Sequence, residues 1–292
     1  VSDRRNFSLL LIEGVKAAPE AFSRPADASK CKQITDTQVI ILTIPESIWQ
    51  GANTIILLPI LLAVVFYSLY WVTVSSEWMK SWFIRNFEAE TANILFVLSK
   101  RTTGFMLLGV VPLVLYSMIN QDFPLADAGL GLNPEKGLFT IISIILLSMI
   151  IIPVIYRSAR KPEIMAVYPE IRAERWTNRM MLAETGSWAL YLLGYETLFR
   201  GVLLFPLAES LGPVTAIVIN TILYSAAHLP KGKTETVAAI PFGIVLCILT
   251  LHSGTIWIAF IAHLVNALTM TFTAVKFNPE ILYFRNEEKV TD

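Results

Sequence analysis

Seven predominantly apolar stretches, near residues 53–74, 102–119, 137–156, 184–208, 212–229, 236–252 and 254–276, dominate this chain and limit what it can fold into. About 20 apolar residues suffice to cross the hydrocarbon core as a helix, and in lipid only a helix or a closed barrel satisfies every backbone group. The expected fold class is therefore all-α, a polytopic membrane helix bundle of about seven transmembrane helices. Composition agrees: 54% of residues are hydrophobic, 16% are charged and the mean hydropathy is +0.59, whereas soluble domains have about 45–50% apolar and about 25% charged residues. The net charge of 0 offers no field to attract nucleic acid, so the lipid bilayer is the expected environment and nucleic acid is not an expected partner. Cys31 and Cys247 are too few for a disulfide framework and lack the spacing of a metal site.

The chain divides into four segments. Residues 1–50 are polar to interfacial, with the brief apolar run QVIILTI at 38–44 too short to span. Residues 51–180 carry the first three spans and a basic loop, residues 181–276 form a four-helix core, and 277–292 are a tail. The loop 157–180 holds Arg157, Arg160, Lys161, Arg172, Arg175 and Arg179, and such a loop is cytoplasmic under the positive-inside rule. That places 76–101, the Lys231–Lys233 turn and the tail on the same side. Glu184, like Glu209 and Lys276, is expected at a helix end within reach of water.

Four ionisable or imidazole groups have no such escape: Glu196 and Arg200 on one span, His228 near the end of the next, and His263 within the last. Burying such a group at bilayer depth costs at least about 2.5–3.5 kcal/mol, so these groups commonly face an interior cavity and mark function. Glu196 and Arg200 are four residues apart on one helix face and can neutralise each other. At about 1.5 Å per residue, Glu196 sits about 18 Å from the start of its span, a depth that His263 matches, whereas His228 is expected shallower. With Asn266 one turn beyond His263, the set offers hydrolytic chemistry. A carboxylate and an imidazole can activate water, and a second imidazole with an amide can steady an oxyanion. Zinc held by Glu196, His228 and His263 is the alternative, because the ligand types suit it.

GYETLFRG at 194–201, YSAAH at 224–228 and HLVN at 263–266 occur in order on three polar-bearing spans. This trio resembles the CPBP (Abi) family of intramembrane proteases, related to the type II CAAX prenyl endopeptidases, with the pattern Glu-Glu-x-x-x-Arg, Phe-x-x-x-His and His-x-x-x-Asn. The resemblance implies catalytic roles for Glu196, Arg200, His228, His263 and Asn266, and either a zinc metalloprotease or a metal-free glutamate mechanism. Two departures stand out. Tyr195 replaces the first Glu, the carboxylate usually assigned as the water-activating base, and Asn266 follows His263 by three residues rather than four.

The expected function is an intramembrane endopeptidase in which Glu196 and His228 activate water while His263 and Asn266 steady the oxyanion. Its substrate would be a peptide or protein entering from the membrane or the cytoplasm, in a multi-pass protein of a bacterial-type cell membrane. The first alternative is a catalytically silent relative acting as a membrane binding or immunity protein. A proton-coupled transporter is the third reading, which the lack of an internal repeat disfavours.

Overall fold

The computed structural model of the chain describes residues 53–120, 123–279 and 281–284; the apolar run at 38–44 lies outside them. Helix α1 (Asn53–Val74) is apolar on every face, as a lipid-embedded helix must be. A short amphipathic helix, α2 (Glu77–Asn86), follows, started by Ser76, whose hydroxyl accepts from the Met79 N–H. Helix α3 (Ala89–Gly104) runs through a π-helical segment at Phe105–Val110 into α4 (Val111–Ile119). Helix α5 (Gly137–Ser158) leads to the short α6 (Pro162–Met165). The core begins with α7 (Asn178–Glu196), which widens into a second π-helical segment at Thr197–Leu204 before α8 (Phe205–Leu211). It continues with α9 (Pro213–Ala226), α10 (Lys233–Ser253) and α11 (Trp257–Phe277).

Among the described residues, six helical stretches are long and apolar enough to cross a membrane. The expected seventh, 212–229, is helical for only 14 residues. That is about 21 Å, two-thirds of the hydrocarbon thickness. The chain is an integral multi-pass helical protein, with α9 as a part-length helix that packs one face on the core and leaves Val214, Val218 and Ile222 exposed. The sole strands among the described residues, β1 (Arg175–Thr177) and β2 (Leu282–Phe284), form a three-residue parallel pair.

The stretch from Asn178 to Leu211 is the most deeply buried of the six, and α5 is the most exposed. Glycine lets the central helices touch backbone to backbone. A Cβ on Gly109 would come within 2.7 Å of the Gly194 Cα, and one on Gly194 within 2.7 Å of the Phe105 Cα. The first π-helical segment thus lies flush against the last turns of α7. Around this seam, Leu108, Leu198, Phe199, Leu203, Leu204 and Leu207 are fully buried.

The bundle ends are tied differently. At one end, Asn133 Nδ2 donates to the Ser253 carbonyl at 3.1 Å and the Ile256 N–H to the Gly129 carbonyl at 3.0 Å. At the other, Lys100 Nζ reaches Glu170 Oε2 at 2.8 Å, and β1 meets β2. The sequence places Glu184 at a helix end, near water; the structure places it fully inside. Arg101 grips it through Nη1 at 2.6 Å and Nη2 at 3.0 Å, and the Trp188 indole donates to it at 2.9 Å. The cause is Arg101, which enters the bundle from α3 and is itself 1% exposed, offering the glutamate a bidentate partner in place of water.

Candidate functional site

Glu196 closes α7 where the helix widens, and its carboxylate is wholly buried. Both oxygens are committed. Oε2 accepts from Arg200 Nε at 3.0 Å, and Oε1 accepts a short hydrogen bond from His263 Nδ1. The four-residue spacing thus makes the expected ion pair, and the depth match between Glu196 and His263 becomes direct contact.

Arg200 is fully buried as well and is held on three sides. Its Nη1 donates to Asn220 Oδ1 at 2.7 Å and to Cys247 Sγ at 2.8 Å, and the guanidinium lies 5.1 Å from the Tyr224 ring centre. Asn220 in turn donates to the Phe199 carbonyl. A buried cation needs this kind of enclosure, because each donor left facing hydrocarbon adds to the cost of burial. The guanidinium's fixed fork accordingly links α9 and α10 to the Glu196 turn.

With its Nδ1–H donated to Glu196, His263 presents Nε2 as an acceptor. The Tyr224 hydroxyl meets it at 2.7 Å, so a continuous line runs from the Tyr224 O–H through His263 to Glu196 and Arg200. The pattern that the motifs resemble has Phe at this position, so the hydroxyl is an addition to that pattern. Sequence reading paired Tyr224 with that Phe and so passed over the O–H. Asn220 and Cys247 were also passed over, although an Asn within an apolar helix is a visible signal.

His228 lies beside the other site residues, although α9 ends two residues before it and the turn that follows is exposed. Its ring lies 4.7 Å from Tyr224 and 6.4 Å from Tyr195, centre to centre. Nδ1 donates to the Tyr224 carbonyl at 2.8 Å, which fixes the tautomer and leaves Nε2 with a free lone pair. Helix α9 is itself pinned by the Tyr67 hydroxyl, which donates to the Ala227 carbonyl.

Tyr195 stands between the two imidazoles, its ring 5.9 Å from His263 and 4.7 Å from Phe199. Its hydroxyl is buried without a hydrogen-bond partner, and so is Oδ1 of Asn266. Arg200 Nη2 also lacks a partner, and unpaired buried polar atoms are uncommon and suit a site that receives a polar guest.

The zinc alternative can be tested on this donor set. Glu196 spends its oxygens on Arg200 and His263, the Nδ1 of His228 faces a carbonyl, and the Nε2 of His263 faces a phenol. Among the described residues, no three His, Cys, Asp or Glu side chains are grouped to hold a metal ion. The residues as arranged do not fit zinc.

Comparison with known proteins gives one match. Residues 181–269 match the family model described as type II CAAX prenyl endopeptidase Rce1-like, the relationship that the ordered motifs resemble. No curated protein and no solved structure matches the chain. The matched segment holds Tyr195, Glu196, Arg200, Tyr224, His228, His263 and Asn266.

Proposed function

We propose that this membrane protein, whose core matches the type II CAAX prenyl endopeptidase family model, hydrolyses peptide bonds at the Tyr195–His228–His263 cluster without a metal ion. The observation that carries the reading is the free Nε2 of His228 near the Tyr195 ring, whose buried hydroxyl has no partner. His228 Nε2 removes a proton from a water molecule, and the water oxygen attacks the substrate carbonyl carbon. The carbonyl oxygen, now negative, accepts a hydrogen bond from the Tyr195 hydroxyl and one from the Asn266 amide. The C–N bond then breaks, and the imidazolium of His228 returns its proton to the leaving nitrogen, which departs as the amine.

In this scheme Glu196 acts through His263 rather than on water directly, its wholly buried carboxylate being engaged by Arg200 and His263. It orients His263 and sets its tautomer, Arg200 holds Glu196, and the Tyr224 hydroxyl donates to the remaining His263 nitrogen. The base that the family motif places at the first Glu is carried here by His228, which removes the need for a carboxylate at 195. Substrates are peptides or membrane-anchored proteins reaching the cluster from the bilayer or the cytoplasmic side.

The test is cleavage of a peptide library by the purified full chain in detergent, with and without a chelator. Cleavage that survives chelation and falls about 10²–10⁴-fold in His228→Gln supports the reading. A folded protein that cleaves nothing, or one that stops when chelated, overturns it. The second reading, a silent binding protein, is favoured by one observation: the Tyr195 ring fills the space between the imidazoles where a catalytic carboxylate would stand.

A further inference from the structure

Away from the cluster, a groove of about 490 Å³ opens on the outer surface between α5 and α11, lined by Ile152, Leu268, Thr269, Phe272, Thr273 and Lys276. Its volume falls in the range of ligand pockets, about 300–1,000 Å³. Helix α5 is at the perimeter of the bundle, with Leu146, Met149, Ile150 and Val154 all exposed, so the groove faces lipid.

One end of the groove is charged. Lys276 Nζ lies 5.6 Å and Arg160 Cζ 4.6 Å from the centre of the Phe277 ring, bringing two cations to one aromatic side chain. Tyr156 packs edge-on against that ring at 5.8 Å. Aromatic pairs of this kind sit at headgroup level. Among the described residues, no carboxylate pairs with either cation. An apolar trough with Lys276 in its lining and Arg160 over the adjacent Phe277 ring complements a molecule with a hydrocarbon tail and an anionic head.

We propose that this groove is a binding site for an anionic phospholipid, one acyl chain lying along Leu268, Thr269 and Phe272 and the phosphate between Lys276 and Arg160. Each cation near such a surface contributes about a fivefold gain in affinity. The site is separate from the proposed hydrolysis and does not depend on it.

Native mass spectrometry of the delipidated full chain, titrated with phosphatidylglycerol or phosphatidylcholine of identical acyl chains, tests the assignment. Wild type should retain phosphatidylglycerol preferentially. The double variant Arg160→Gln/Lys276→Gln should lose that preference by about fivefold per cation, while phosphatidylcholine binding stays the same and excess inorganic phosphate displaces neither lipid. Thr269→Trp, which fills the trough, should weaken retention of both lipids. Lys80→Gln, a cation on α2, should change nothing. Equal binding of the two lipids by wild type, an unaltered preference in the double variant, or an equal loss in Lys80→Gln would each overturn the proposal.

Discussion

Tyr195 decides between the two readings of the site, because it puts a phenol where the resembled pattern has a carboxylate. If its hydroxyl serves the oxyanion, Tyr195→Phe should lower kcat about 10²-fold with KM little changed, since the interaction forms only in the transition state. Tyr195→Glu should also lower turnover, because a negative charge would face a developing negative charge. A protein that is silent as wild type and gains hydrolysis on Tyr195→Glu would sink the proposed mechanism and favour the binding protein. Tyr224→Phe removes only the hydroxyl that fixes His263. It should shift the pH–rate profile rather than abolish turnover, and an unchanged profile would mean that the hydroxyl does not influence the protonation of His263. At this scale much was readable in advance: the Glu196–Arg200 spacing follows from helix geometry alone. The Tyr224–His263 bond joins groups 39 residues apart on different helices, and no local pattern announces it.

At the level of helices, the seam between α7 and the π-helical segment at Phe105–Val110 is the most demanding feature, because it brings main chains together without side chains between them. Gly194→Ala should cost about 1–3 kcal/mol through forced separation of the two helices and lower the thermal midpoint in detergent. An unchanged midpoint would show that the seam yields without penalty. The spans themselves were legible as runs of apolar residues. Their wide turns were not, since a π-helical segment at Thr197–Leu204 leaves the apolar character of the run unaltered. For the same reason hydropathy gave 212–229 the look of a full crossing, while the helix ends at Ala226, just short of His228.

Across the whole molecule, the Lys100–Glu170 and Arg101–Glu184 pairs fasten the basic loop to α3, α7 and α11, the last through Thr271. Burial pushes the Glu170 carboxyl up, but the attraction of Lys100 and Arg101 outweighs it and holds the group below its ordinary value of 4.5. Its contribution is therefore fully present above that ordinary value and is lost as pH falls through the depressed one. Glu170→Gln should lower the melting temperature at neutral pH and leave it unchanged in strong acid; a constant difference at all pH would exclude this linkage. Deeper in, Arg101→Ala should cost about 3–5 kcal/mol by stranding Glu184, whereas Arg101→Leu combined with Glu184→Leu should be close to neutral. Equal losses in both variants, read from thermal melts, would refute desolvation as the cause.

The pairing of β1 with β2 has a consequence for how this chain could be re-cut. Strands so paired lie about 4.8 Å apart, so the polypeptide leaves for α7 at one end of this parallel pair and returns from α11 at the other, through a doorway three residues long. Everything from Asn178 to Ile281 is a closed excursion from that point. A short linker across the doorway, with new ends opened at the exposed Leu229–Lys231 turn, would leave every helix its neighbours. The order of the core helices can thus be permuted at this point, while the seam with Phe105–Val110 and the Arg101–Glu184 pair still tie the core to the preceding spans.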